Sequence, residues 1–361
     1  MKILKVKSLC FKESDLRLDS SFHLSEGRIA RNIIDKVPFQ KKPLSELSSN
    51  IFYGGRAKRN YVKNIEMGVP FMGSSDMLKT TFDSLKFIST KLTKNLQSSM
   101  LFEGWTLISR SGTIGNTAYV NKDFVDKAAS EHIIRVVPNE EVKPGYLYSF
   151  LTCKYGYALL TQGTFGAVIQ HIEPDYLSGL PIPIIPDAKQ LTIHKLILES
   201  ADLRVQANKL LNEAINNFER KIGESKVQLG HQIGKVNSKS LKTFHKRLDG
   251  QYQLLWESLI KEQNVNLALE KVSNVAKSIF VGGRGKRMYV ENGITFLSSS
   301  DMMLYNPKRT SKKVSKNTPG LKSMIVSKYD ILISRSGTVG NTIIVGDDLA
   351  GTAISEHALR L

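Results

Sequence analysis

The octet Ser109-Arg110-Ser111-Gly112-Thr113-Ile114-Gly115-Asn116 returns 225 residues later as Ser334-Arg335-Ser336-Gly337-Thr338-Val339-Gly340-Asn341. Seven of its eight positions are identical, and the eighth exchanges Ile for Val. The neighbours repeat too. Ser74-Ser75-Asp76-Met77 recurs as Ser299-Ser300-Asp301-Met302, and Ser130-Glu131-His132 as Ser355-Glu356-His357, at the same offset. Upstream, Phe52-Tyr53-Gly54-Gly55-Arg56-Ala57-Lys58-Arg59 is echoed by Phe280-Val281-Gly282-Gly283-Arg284-Gly285-Lys286-Arg287 at an offset of 228. The offset changes because three residues separate Asn64 from Gly68, whereas Asn292 and Gly293 are adjacent. Such a gap costs little, since loop-closure entropy changes slowly with length. Arg17-Leu18-Asp19 is matched by Arg247-Leu248-Asp249. A period this long indicates two domains, not a solenoid of small repeats.

With 361 residues, of which 41% are apolar, each repeat is large enough to bury its own core. No apolar run approaches the roughly 20 residues that span a bilayer. Charges interleave the apolar residues of Met1–Lys7, which excludes the uninterrupted apolar stretch of a signal peptide. Cys10 and Cys153 stand alone without metal-ligand spacing, as expected in a reducing cytoplasm. The net charge of +18 points to a polyanion. Nucleic acid is favoured over a membrane surface, because the one long amphipathic segment mixes both charge signs on its polar face.

Short strands are expected at Gly68–Met72, Trp105–Ser109, Thr117–Val120 and His132–Val137. A short helical start is expected at Lys42–Leu47, and a helix over Tyr146–Leu160. Together these predict an α/β (α+β) fold. Pro181, Pro183 and Pro186 end the first domain, expected over residues 1–186, and Asp187 can cap a helix N-terminus. Residues 187–223 are expected to form one helix. Leu196, Leu203 and Leu210 recur every seven residues, with a second line at Ile193, Ser200, Ala207 and Ala214. Such heptads make a coiled-coil seam, here on the order of 50 Å long. A basic linker is expected over 224–246, and a second domain over 247–361. Leu361 aligns with Val136, so that domain is expected to be incomplete, without a second long helix.

Catalytic motifs are missing. Gly230-His231-Gln232-Ile233-Gly234-Lys235-Val236 has neither the spacing nor the hydroxyl residue of a phosphate-binding loop. No dinucleotide fingerprint, Asn-Pro-Pro-aromatic tetrapeptide or clustered carboxylate set occurs, and no metal or cofactor is expected. Ser130-Glu131-His132 resembles a triad only in composition: neighbours on a strand point to opposite faces. A local hydrogen-bond network is the expected role of His132.

The basic turns fit nucleic acid better. Arg56, Lys58 and Arg59 stand beside Tyr61, and Arg284, Lys286 and Arg287 beside Tyr289. Such cations neutralise phosphates, and Arg can also donate twice to guanine. Arg110 stands at a strand end beside Ser111, Thr113 and Asn116, and Arg335 beside Ser336, Thr338 and Asn341. The glycines of each octet suit left-handed backbone. Its arginines either face DNA or brace the turn.

With Trp105–Gly115 and its copy from Tyr329, the segment Gly163-Thr164-Phe165-Gly166-Ala167-Val168-Ile169-Gln170-His171-Ile172, and the exit Leu180-Pro181-Ile182-Pro183, the chain resembles the specificity subunit of type I restriction–modification systems. The resemblance implies two target-recognition domains, each reading half of a bipartite site in double-stranded DNA. It implies that conserved helices set the half-site spacing and dock methylation subunits, and through them restriction subunits. Those partners, not this chain, carry out S-adenosylmethionine-dependent methylation and ATP-dependent cleavage. The sequence departs from that pattern in its incomplete second domain, its single long helix and the helix start Asp187-Ala188-Lys189-Gln190. An alternative is therefore a truncated or split-subunit fragment that dimerises, or binds methylation subunits, through its helix without reading DNA.

Overall fold

The computed structural model describes residues 20–56, 58–164, 170–222, 270–309 and 311–361. The expected N-terminal strand or turn, the Arg17–Asp19 and Arg247–Asp249 match, the basic linker, and positions 165–169 lie outside them. The chain divides into two compact units. The larger draws on Met1–Gln206 and Val281–Leu359, and the smaller on Ala207–Phe280 and Arg360–Leu361.

In the first repeat the strands are β1 (Lys41–Pro43), β2 (Ser48–Tyr53), β3 (Tyr61–Val62), β4 (Gly68–Met72), β5 (Lys86–Ser89), β6 (Thr106–Ser109), β7 (Thr117–Tyr119), β8 (Ala128–Ala129), β9 (Ile133–Pro138) and β10 (Pro181–Pro183). They form two four-stranded sheets, β2-β9-β6-β7 and β3-β5-β4-β8, and the pair β1-β10. After a single helical turn at Ser20–His23, the helices are α1 (Glu26–Lys36), α2 (Pro144–Thr152), α3 (Lys154–Gln162), α4 (Pro174–Ser178) and α5 (Asp187–Ile222). Mixed helix and sheet is thus the observed class.

Alternation along β6 and β9 explains the burial of the first sheet on both faces. Leu107 and Ile133 enter one core with Met72, Met77, Val120 and Phe124. Ile108 and Ile134 enter the other, with Leu147, Leu151, Leu159 and Leu177 from the helices. The single helix expected over Tyr146–Leu160 is two. Cys153 is extended between α2 and α3 (φ −68°, ψ 169°). At Gly156 a Cβ would lie 2.1 Å from the Phe150 carbonyl oxygen, so the two helices turn a corner that periodicity alone does not reveal. The helical start expected at Lys42 is a 3-10 turn at Leu44–Leu47, preceded by β1.

The second repeat holds β11 (Phe280–Val281), β12 (Tyr289–Leu297), β13 (Lys312–Val314), β14 (Ile331–Ser334), β15 (Thr342–Ile344), β16 (Ala353–Ile354) and β17 (Ala358–Arg360). Their sheets run β11-β17-β14-β15 and β13-β12-β16. β12 is one strand where the first repeat has two. The extra residues Ile65–Met67 form the 3-10 turn between β3 and β4. The core Leu297, Met302, Val326, Leu332, Val345, Leu349, Ile354 and Ala358 matches Met72, Met77, Leu101, Leu107, Val120, Phe124, Ala129 and Ile133, each at offset 225. The opposite sheet face differs. Ile114 is 8% exposed, but its counterpart Val339 is 70% exposed, and α2 and α3 have no counterpart among the described residues of 270–361.

Within the larger unit the repeats meet through equivalent residues. Thr80 donates its backbone N–H to Met303 O, and Tyr305 donates to Leu78 O, both at 3.0 Å. Because 78 and 80 correspond to 303 and 305, the contact is a local pseudo-twofold bridge centred on Lys79 and Leu304. The long helix α5 has 36 residues and begins at Asp187, which is its first helical residue instead of a cap outside it. No helix among the described residues is long and apolar enough to cross a membrane.

Candidate nucleic-acid interface

Each octet is a turn fastened by its first serine. Ser109 Oγ donates to Thr113 O and accepts from Asn116 N at 2.9 Å. Backbone bonds Ser109 N–Asn116 O (2.8 Å) and Gly115 N–Ser109 O (3.0 Å) close the loop. The copy repeats this with Ser334 Oγ to Thr338 O, Ser334 N–Asn341 O (2.8 Å) and Gly340 N–Ser334 O (2.9 Å). Gly112 and Gly115 have φ of +79° and +81°, and Gly337 and Gly340 +76° and +95°, a region where a side chain is strained. The neighbouring histidine joins each turn. Ser111 Oγ lies 2.6 Å from His132 Nδ1, and Ser336 Oγ 2.6 Å from His357 Nδ1. His132 is thus in a local network, but strand alternation is not the reason: Ser130–His132 form a turn before β9, Glu131 Oε1 lies 3.5 Å from His132 Nε2, and the serine on the ring is Ser111, not Ser130.

The two arginines of the octets differ. Arg110 is buried, donates to the Glu173 carboxylate, and lies over the Tyr53 ring at 4.2 Å. It braces the turn. Ser111 and Asn116 are also buried, while Thr113 is exposed. Arg335 is exposed and makes no ion pair among the described residues, and the counterpart of Tyr53 is Val281. Ser336 and Asn341 are less buried than their counterparts, and Thr338 is exposed.

The basic turns also split by role. Arg56 and Lys58 are exposed, as are Arg284 and Lys286. Arg59 instead donates to both oxygens of Glu131 at 2.9 Å and lies over the Phe71 ring at 5.2 Å. Its copy Arg287 donates to Glu356 and lies over Phe296 at 4.7 Å. Glu356 is also 3.7 Å from Arg284 Nε. Burial raises the Glu131 carboxyl pKa, but the Arg59 hydrogen bond, its own backbone hydrogen bond and the Arg59 charge together outweigh it, and the net shift is downward. Glu356 is likewise lowered: its burial is outweighed by its own backbone hydrogen bond and the Arg287 charge. Tyr61 and Tyr289 are exposed, with Lys86 over the first ring at 5.5 Å and Lys312 over the second at 5.0 Å.

Sequence reasoning missed Arg135, which is fully buried on β9. Its guanidinium donates to the carbonyls of Ser130 (3.1 Å), Ile133 (2.7 Å), Ser99 (3.2 Å) and Ala129. Burial pushes its pKa down to about 10. The available signal was one cation inside the apolar run Ile133–Val137, repeated as Arg360. Glu173 and Tyr53 were also missed as partners of Arg110.

The expected helix interface divides by exposure. Ile193 packs against the first core and Ser200 is half-buried, whereas Ala207 and Ala214 are exposed. Leu196, Leu203 and Leu210 are 60%, 56% and 65% exposed. The start of α5 is pinned to α2. Gly145 N donates to His194 Nδ1 at 3.1 Å, and a Cβ at Gly145 would lie 2.8 Å from that nitrogen. No group of three or more potential metal ligands occurs among the described residues.

The family model described as type I restriction modification DNA specificity domain matches residues 37–217, half of the chain. No curated protein compared with the chain matches it. Among solved structures it is similar to the S subunit of a type I restriction-modification system from M. genitalium, at 13% identity and a TM-score of 0.29. That match covers 91% of this chain and 73% of the other. It is also similar to the HsdS subunit from Thermoanaerobacter tengcongensis, at 13% identity and a TM-score of 0.33, with 90% and 75% covered.

Proposed function

The chain belongs to the type I restriction modification DNA specificity domain family, and we propose that its two repeats each read one half of a bipartite site in double-stranded DNA. The observation that carries this reading is the duplicated turn. In both copies a serine-locked loop, a Ser–His bond and an Arg–Glu pair stacked on Phe lie beside exposed cations. The paired arginines hold the frame. Arg56, Lys58, Lys286, Arg335 and the exposed Arg284, which also lies 3.7 Å from Glu356, are the groups that extend to phosphates or base edges, with Tyr61, Tyr289, Thr113 and Thr338 beside them. The buried Arg110, Ser111 and Asn116 contribute by shaping the first turn.

The leucine line of α5 docks methylation subunits, and restriction subunits join through them. The chain itself is the non-catalytic, cytoplasmic specificity component. Phosphate contacts release counterions, so binding to duplex DNA by the chain with its methylation subunits should fall steeply as salt rises. Binding to every duplex that is absent at low salt, or indifferent to salt, would overturn the reading.

The exposed leucine line also favours a second reading, an assembly fragment that pairs through α5 without reading DNA. Leu203→Lys separates the two. If α5 only mediates self-association, the variant becomes monomeric and no DNA binding exists to lose. If α5 docks methylation subunits in a DNA-reading complex, the variant releases those subunits.

A further inference from the structure

Within the larger unit, the loop Tyr305–Arg309 of the second repeat, β7 and α2 of the first, and the early turns of α5 enclose a cleft of about 300 Å³. Its walls carry Tyr119, Tyr148, Tyr305, Asn121 and two arginines, Arg204 and Arg309, and no acidic residue lines it. Arg204 is exposed, lies over the Tyr305 ring at 4.7 Å, and has no ion pair among the described residues. Arg309 donates to Thr117 Oγ1 at 3.3 Å and to Thr152 O at 2.9 Å. A guanidinium has five N–H donors, so this brace leaves Arg309 others to offer. The nearby Asp202 lies 3.9 Å from Lys122.

The pseudo-twofold supplies an internal comparison. Tyr305, Asn306 and Arg309 correspond to Thr80, Thr81 and Ser84, which line a second cleft with Ser334, Ser336 and Thr338 and contain no arginine. Only these three positions correspond between the two clefts, and the pairing of arginine with tyrosine occurs in the first alone. We propose that the first cleft binds a mononucleotide-sized aromatic phosphate, its ring against tyrosine and its phosphate on Arg204 and Arg309. Guanidinium–phosphate bonds are charge-assisted and geometrically specific. A volume near 300 Å³ is at the small end of ligand pockets, which fits one nucleotide and excludes a duplex. This inference does not depend on DNA reading by the basic turns.

The test titrates the full chain with AMP, adenosine and inorganic phosphate separately, by calorimetry and thermal unfolding. AMP should bind and raise the unfolding midpoint, with adenosine and phosphate each about tenfold weaker or more. Arg204→Gln should weaken AMP about tenfold or more, with only a small fall in the midpoint of the unliganded chain, because that exposed side chain loses no more than its contact with the Tyr305 ring. It should also leave salt-sensitive duplex binding unchanged. No response to AMP, phosphate binding as tightly as AMP, or an AMP response unaltered in Arg204→Gln would overturn the proposal. Loss of duplex binding along with AMP would assign the cleft to a DNA backbone phosphate and overturn it equally.

Discussion

At Gly112 an added Cβ meets open space, whereas at Gly115 it meets Thr161 Cγ2 at 3.0 Å, and both residues have positive φ. Gly112→Ala should therefore cost the backbone strain alone, about 1 kcal/mol. Gly115→Ala should cost more, because it adds a clash with α3. Urea unfolding midpoints of the two variants check the order, and a smaller loss at Gly115 would contradict it. Arg135 is the larger stake. Arg135→Met removes a donor from four carbonyls, of which Ser130 O keeps the Ile133 N–H, a loss of roughly 3 kcal/mol or more. Arg135→Lys should fall between, since an ammonium cannot reproduce the planar fork. Chemical denaturation of the three forms should show that ranking. The Arg110–Glu173 pair shows why such roles escape a sequence. Its members are 63 positions apart, and nothing local distinguishes Arg110 from the exposed Arg335 within two nearly identical octets.

The elements were legible where one period ran uninterrupted. Strand β4 falls on Gly68–Met72 as its apolar run and flanking polar turn suggest, and α5 spans the stretch free of Gly and Pro. Legibility failed at corners. The break at Cys153 comes from a close approach between helices, and the 3-10 turn Ile65–Met67 occupies what alignment shows only as a length difference. The attachment of α5 was also hidden, because it rests on Gly145 meeting His194. Gly145→Ala should push the two helices apart, at a cost of about 1–3 kcal/mol. His194 Nδ1 accepts a hydrogen bond, so the neutral ring is the competent form. Burial first, and then the Lys143 charge, lower its pKa. Folded His194 thus binds a proton less readily than unfolded His194. Its contribution is present above about pH 6.5 and is lost as pH falls through the lowered folded value. Hydrogen exchange of α2 and the first turns of α5 should accelerate across that window, and His194→Gln should remove the pH dependence. An unchanged profile in the variant would contradict this attachment.

For the whole molecule, duplication is the governing fact. One core recurs at a fixed offset in all eight positions, and the two repeats join through equivalent residues. The basic turns are the solvent-facing part of that shared frame, with Arg56, Lys58 and Tyr61 matched by Arg284, Lys286 and Tyr289. The most direct measurement is selection from random duplexes with the chain and its methylation subunits, using the native protein, Arg56→Ala/Lys58→Ala and Arg284→Ala/Lys286→Ala. The native protein should enrich a bipartite site. Each double variant should lose preference at one half and keep the other, the two variants affecting opposite halves. Equal weakening of both halves by either variant, or no enriched sequence for the native protein, would contradict the division of reading between the repeats.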